Sequence, residues 1–241
     1  MSDLWTMIWK ETKEQILQGG WAQWIRALIV IGTVGIALPW RAGLPWLELA
    51  LPEVLLLLWV PFFYIVSIIG DAIAGERERH TLETLLASRV PDRAIVVGKI
   101  LVTVGYAGGM ALVGLLAGAL VVNLTVVANS SGQDRWVFYP GDLFLEVVTL
   151  SLLVSLFTAS AGVMVSLRAA TVRQAQQTLI IGTILVIFAG ILAISILPPQ
   201  LFRALSYSQL LLITIAVITV LDAVLLGLAL LSFQRSRLIL S

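Results

Sequence analysis

The feature that most constrains this chain is a succession of long, nearly uncharged apolar runs. They cover approximately residues 24–40, 47–70, 95–123, 143–167, 179–197 and 207–233. A helix needs roughly 20 predominantly apolar residues to cross the hydrocarbon core of a bilayer. Inside that core, only helices and closed barrels satisfy their own backbone N–H and C=O groups. A transmembrane barrel would read as roughly ten-residue segments of alternating polarity, not as continuous apolar runs. The expected fold is therefore all-α: a single polytopic membrane domain with six transmembrane helices. Composition agrees, since 59% of residues are hydrophobic and 12% charged, against roughly half and a quarter in soluble domains.

Local signals set the details. Residues 1–20 carry Trp5, Ile8, Trp9, Thr12 and Ile16 on one helical stripe, with Lys10, Lys13 and Glu14 mostly off it. That pattern predicts an amphipathic helix lying in the membrane interface. The same residues lack a compact apolar core and a small-residue cleavage site, so no cleavable signal peptide is expected. Pro52 falls in the first turns of span two, and Pro61 is placed to bend it. The third apolar run extends from Ile95 to Ala128, longer than one bilayer requires, and must tilt or protrude. Residues 129–142 form a polar loop, and Pro198-Pro199 stops span five. Of the 15 Lys and Arg residues, only Arg41, Arg135 and Arg203 fall on one side of this layout. The basic excess on the other side places both termini in the cytoplasm.

Several chemistries are excluded. The chain has no cysteine, which removes disulfides, thiolate catalysis and cysteine metal sites. No Gly-rich loop ends in Gly-Lys-Ser/Thr; Gly98-Lys99 is followed by Ile100 and an apolar helix. The chain therefore has no P-loop nucleotide site of its own. His80 is the sole histidine and cannot build a His-rich metal centre. No polar filter or charge ring of the kind a channel uses is visible, and nothing points to nucleic acid. Catalytic, cofactor-binding and metal residues are all expected to be absent.

A few polar groups stand out inside the spans. Asp222 is the one carboxylate deep in a span, which makes it a candidate intramembrane polar site. It is open to three explanations: substrate or ion contact, a structural hydrogen bond, or a misjudged span boundary. Glu146, near the outer end of span four, says less. Gly105/Gly109 and Gly114/Gly118 have the spacing that lets helices approach closely, and are expected to pack within the chain. Arg168, Arg173, Gln174, Gln176 and Gln177 form a polar link between spans four and five, either a small docking element or a solvated loop. Asn123-Leu-Thr125 and Asn129-Ser-Ser131 match the short glycosylation pattern.

The most informative stretch is residues 71–99, between spans two and three. It carries Glu76-Arg77-Glu78-Arg79, Thr81-Leu82-Glu83, Leu85-Leu86, Pro91 and Gly98-Lys99. Leu82, Leu85 and Leu86 share a helical face, Glu83 sits nearer the other, and Pro91 ends the helix. Thr81 stands where a cap is needed, with Thr84 in place of the carboxylate of a full capping box. This predicts a short helix held at the cytoplasmic surface, either a solvated topological loop or a docking element for a partner.

The segment resembles the signature of the ABC-2 type transporter permeases, membrane subunits of ATP-binding-cassette exporters. It departs from that pattern at His80, where the family usually has glycine, and at Arg89-Val90, where a proline often appears sooner. The histidine makes a glycine-type turn before Thr81 less expected. The resemblance extends over the six-span layout, the N-terminal amphipathic segment and the short basic tail. It implies a half-transporter that pairs with a second permease chain, identical or related, and with ATP-binding cassette subunits carrying ATP and magnesium. It further implies export across the cytoplasmic membrane of a prokaryote, in contact with membrane lipid. Glu76, Arg77, Glu78, Thr81, Leu82, Glu83, Leu85 and Leu86 would then couple ATPase motion to the spans. Two other classes are weighed against it. An ion-gradient-driven carrier should show broken spans in both halves and several buried polar groups, whereas only Pro61 interrupts a span. A non-catalytic membrane scaffold fits the absence of a catalytic constellation. Few polar residues lie in the spans, which favours lipophilic or amphipathic cargo.

Overall fold

The computed structural model of the chain describes residues 2–18, 20–48, 51–81, 87, 90–129, 136–196 and 207–233. Every regular element among the described residues is a helix. They run α1 (Ser2–Gln18), α2 (Gly20–Val30), a π-helical stretch (Ile31–Ala37), α3 (Leu38–Ala42), a 3-10 turn (Leu44–Glu48), α4 (Leu51–Ile69), α5 (Asp71–Glu78), α6 (Asp92–Asn129), α7 (Gly141–Arg168), α8 (Val172–Ile196) and α9 (Tyr207–Ser232). Among the described residues, six helical stretches are long and apolar enough to cross a membrane: Trp24–Ala42, Leu57–Glu78, Asp92–Thr125, Gly141–Arg168, Val172–Gly190 and Gln209–Ser232.

The count agrees with the sequence, but several boundaries move. Span one is not a plain α-helix. Its widened π stretch precedes Pro39, whose ring nitrogen has no hydrogen for the helical ladder. It ends at Gly43, in the left-handed region at φ 66. A 3-10 turn at Leu44–Glu48 includes residue 47, and α4 is described from Leu51. Pro61 lies inside α4. Helix α6 has 38 residues, about 57 Å at 1.5 Å per residue, nearly twice the hydrocarbon thickness. Helix α8 begins at Val172, so Arg173, Gln174, Gln176 and Gln177 are helical and not part of a loop.

Contacts divide the chain into two compact units, Met1–Ile65 with Leu101–Ser155, and Val66–Ile100 with Leu156–Ser241. In the first, α1 buries Met7 and Glu11, one helical turn apart, and exposes Trp5 and Trp9. The face turned to the protein is thus not the tryptophan stripe. Lys10 sits 3.4 Å from Glu14 and 3.8 Å from Glu11. The core of this unit gathers Trp46, Leu47, Leu57, Leu115, Ala119, Val122, Tyr139 and Val147. The Tyr139 hydroxyl donates to the Leu115 carbonyl at 3.0 Å, and burial pushes its pKa up to about 12. Gly118 makes this possible: a Cβ there would stand 2.8 Å from Trp46 Nε1 and 3.0 Å from the Tyr139 oxygen. By contrast, no described atom lies within 4 Å of a Cβ built on Gly105 or Gly109, so that pair does not pack as expected.

Asn123 fastens the segment before α7 to α6. Its Nδ2 donates to the carbonyls of Ala119 and Val137, both at 2.7 Å, and its Oδ1 accepts the Val137 N–H at 2.8 Å. With this side chain 3% exposed, Asn123 is a buried backbone-pairing residue and no glycosylation acceptor.

In the second unit the helical course of span two breaks at Gly70 and resumes as α5. A break in the ladder orphans backbone groups, which must find other partners. Ser166 of α7 supplies them. Its hydroxyl donates to the Gly70 carbonyl at 3.1 Å and accepts the N–H groups of Ile73 (3.1 Å) and Ala74 (2.9 Å). Gln176 of α8 donates to the Ser67 carbonyl at 3.2 Å. Gly162 lets α7 close on Ile69, since a Cβ there would stand 2.2 Å from Ile69 Cγ2.

Candidate functional site

The charged run at the end of α5 is consumed by contacts with its own unit. Glu76 is buried and faces Lys99 of α6, carboxylate to ammonium 3.7 Å, with both side chains over nine-tenths buried. The Thr81 hydroxyl donates to the same carboxylate and lies 3.3 Å from the Glu76 carbonyl. Arg77 reaches the C-terminus of α7 and donates to the carbonyls of Ala169 (2.7 Å) and Leu167 (3.1 Å). Glu78 accepts the N–H of Val172, the first residue of α8, at 2.9 Å. Arg79 pairs with Asp71 across α5, its two guanidinium nitrogens each 3.1 Å from one carboxylate oxygen.

The signs suit the helix ends. A cation on terminal carbonyls and an anion on a first-turn N–H each oppose the local dipole and satisfy groups the helix leaves unpaired. Three successive charges, Glu76, Arg77 and Glu78, thereby bind α5 to the start of α6, the end of α7 and the start of α8.

Helix α5 ends in a Schellman arrangement. Thr81 N–H donates to the Glu76 carbonyl at 2.9 Å and His80 N–H to the Arg77 carbonyl at 3.1 Å. His80 sits at φ 56, the left-handed position glycine usually fills. The turn that histidine was expected to disfavour therefore forms, closed by two backbone hydrogen bonds. Thr81 is occupied with Glu76. Leu82, Glu83, Leu85 and Leu86 lie outside the described residues.

Asp222 is placed in α9 and is 2% exposed, on a stripe with Leu225 and Ala229. Neither carboxylate oxygen has a hydrogen-bond partner among the described residues. Asp222 lies within the apolar helical stretch Gln209–Ser232, and no described side chain supplies the structural hydrogen bond.

Sequence reasoning missed Ser166, Lys99 as the partner of Glu76, and the helix ends that Arg77 and Glu78 hold. The available signals were a serine near the end of an apolar run and a lysine at the start of another. Neither signal identifies a partner on another helix, and Ser166 and Arg77 find theirs 90 or more residues away.

These features define a multi-pass helical membrane protein whose charged segment is welded to the ends of neighbouring spans. The model of the family described as ABC-2 family transporter protein matches residues 49–228, and the chain belongs to that family. No curated protein matches its sequence significantly.

Proposed function

We propose that this chain is the non-catalytic permease subunit of an ATP-binding-cassette exporter in the cytoplasmic membrane of a prokaryote. ATP and magnesium are held by a separate ATP-binding subunit, and a second permease chain, identical or related, completes the pathway. The family membership supports the association with an ATP-binding subunit. The observation that carries the coupling role is the bracket at the end of α5. A push on residues 71–90 reaches α6 through Glu76–Lys99, α7 through Arg77 and Ser166, and α8 through Glu78. A solvated loop would dissipate the same push, because exposed charges are screened and mobile. In this reading Glu76, Arg77, Glu78 and Thr81 transmit, while Leu82, Glu83, Leu85 and Leu86 present the surface that the ATPase touches. The interfacial helix α1 lies with its exposed Trp5 and Trp9 in the headgroup layer.

The test is a mild-detergent purification of the tagged chain from its host, with stoichiometry of every retained subunit. The expected result is one ATP-binding subunit per permease, lost when Leu85 and Leu86 are both changed to Asp. Glu78→Ala, which removes only an exposed contact with the start of α8, should retain the subunit while weakening the coupling of its ATP hydrolysis to transport. A chain that copurifies only with itself under all mild conditions would sink the proposal in favour of a gradient-driven carrier or a scaffold.

A further inference from the structure

The second unit contains a cavity of about 380 Å³ whose lining includes Ala161, Met164, Arg168, Gln174, Thr178 and Leu225. That volume falls in the range of small-ligand sites. Its polarity is one-sided. Ala161, Met164 and Leu225 supply apolar wall, whereas Arg168 and Gln174 stand together at the end where α7 stops and α8 begins. Both present donors. Arg168 is exposed, and among the described residues it has neither ion pair nor hydrogen bond. It is not needed to cap its own helix, because Arg77 already holds the Leu167 and Ala169 carbonyls. The Gln174 Oε1 is taken by the Ala170 N–H at 3.0 Å, which leaves its NH₂ group as the free end.

Depth follows from helix geometry. Ala161 lies seven residues inside the end of α7 and Thr178 six inside the start of α8, about 10 Å along each axis. The headgroup layer is roughly 5–8 Å thick on each side of the hydrocarbon. With the end of α7 and the start of α8 at the membrane surface, the donor-bearing end of the cavity lies at headgroup level and its apolar floor in the acyl region.

We infer that this cavity seats one anionic phospholipid, its phosphate on Arg168 and Gln174 and its upper acyl chain against Ala161, Met164 and Leu225. The two side-chain donors at one end, the Arg168 guanidinium and the Gln174 NH₂ group, match a phosphodiester, and guanidinium–phosphate contacts are charge-assisted. An apolar helix from another protein would bury Arg168 without a counter-charge, which is strongly unfavourable. The assignment to the cytoplasmic leaflet rests on the orientation proposed above; the seating itself does not.

The experiment is native mass spectrometry of the purified full-length chain, with any subunits it retains, from micelles doped equally with phosphatidylglycerol and phosphatidylcholine. Phosphatidylglycerol should be retained about fivefold over phosphatidylcholine, the preference one basic group confers near a membrane surface. Arg168→Gln should bring the ratio near one, Arg168→Lys should keep part of it, and Arg93→Gln, an exposed charge at the start of α6, should leave it unchanged. Ala161→Phe should reduce retention of both lipids by filling the floor. An unchanged ratio in Arg168→Gln, an equal loss in Arg93→Gln, or displacement by glycerol phosphate as effective as by intact lipid would overturn the site. Orientation is read separately. The chain has no cysteine, so Arg173→Cys can be labelled with an impermeant thiol reagent in intact cells and in inverted vesicles. Labelling in intact cells would refute the leaflet and leave the lipid result standing.

Discussion

Removing one partner of the Glu76–Lys99 pair should be among the most costly single changes in the second unit. The two groups are 3.7 Å apart with side chains 8% and 4% exposed. At an effective dielectric of about 20, opposite charges at that distance attract by ~4.5 kcal/mol. Their desolvation offsets much of this, so the intact pair contributes little net stability, but removing one member takes this counter-charge from a buried charge. Glu76→Gln is therefore expected to destabilise by about 3–5 kcal/mol, and Lys99→Met by a similar amount. The double variant should cost well under the sum of the two, since the pair is then removed as a unit. The assay is unfolding by SDS titration in mixed micelles, followed by tryptophan fluorescence, as a double-mutant cycle. Single costs below about 1 kcal/mol, or additivity within roughly 0.5 kcal/mol, would refute the pairing. Thr81, which donates to the same carboxylate, keeps the double variant from being fully neutral.

Other expectations follow from individual contacts. Gly162→Ala drives a methyl against the buried Ile69 and should cost about 1–3 kcal/mol as overpacking; adding Ile69→Ala should recover part of the loss, and a double variant worse than either single would contradict the close approach. His80→Gly relieves a left-handed residue and should stabilise by about 1 kcal/mol, read as a raised melting temperature; a lowered one would mean that the histidine side chain is itself needed. Tyr139 titrates above its ordinary value of 10, pushed up to about 12 by burial. Its folded-state pKa exceeds the unfolded one, so its contribution is whole below pH 10 and is lost as pH rises through about 12. Stability should fall across that window, and Tyr139→Phe should flatten the fall while costing about 1 kcal/mol near neutrality for the lost hydrogen bond. A fall equally steep in the phenylalanine variant would exclude Tyr139 as its source.

Family membership extends the usefulness of this geometry. The match begins at residue 49 and ends at 228, so it includes α5, its partners on α6, α7 and α8, and Asp222. An acidic-basic run in a cytoplasmic segment is easily taken for a surface that meets a partner. In this chain Glu76 faces a buried lysine, Arg77 and Glu78 face helix ends, and Arg79 pairs with Asp71 of its own helix.

The sequence by itself determined the class of the molecule. Bilayer thickness demands some 20 apolar residues per crossing, and that demand is local, so six spans and the charged segment between the second and third could be counted from composition along the chain. The family resemblance was carried by contiguous residues for the same reason. Tertiary structure decided everything that depends on distant partners. Ser166 meets Ile73 and Ala74 more than 90 positions away, and Glu76 is buried because Lys99 of another helix lies against it. The expected packing of Gly105/Gly109 failed while Gly118 and Gly162 packed tightly, because a small residue only permits approach and the neighbouring helix decides whether it comes. His80 shows the converse: local preference opposed the turn, and hydrogen bonds closing the end of α5 outweighed it.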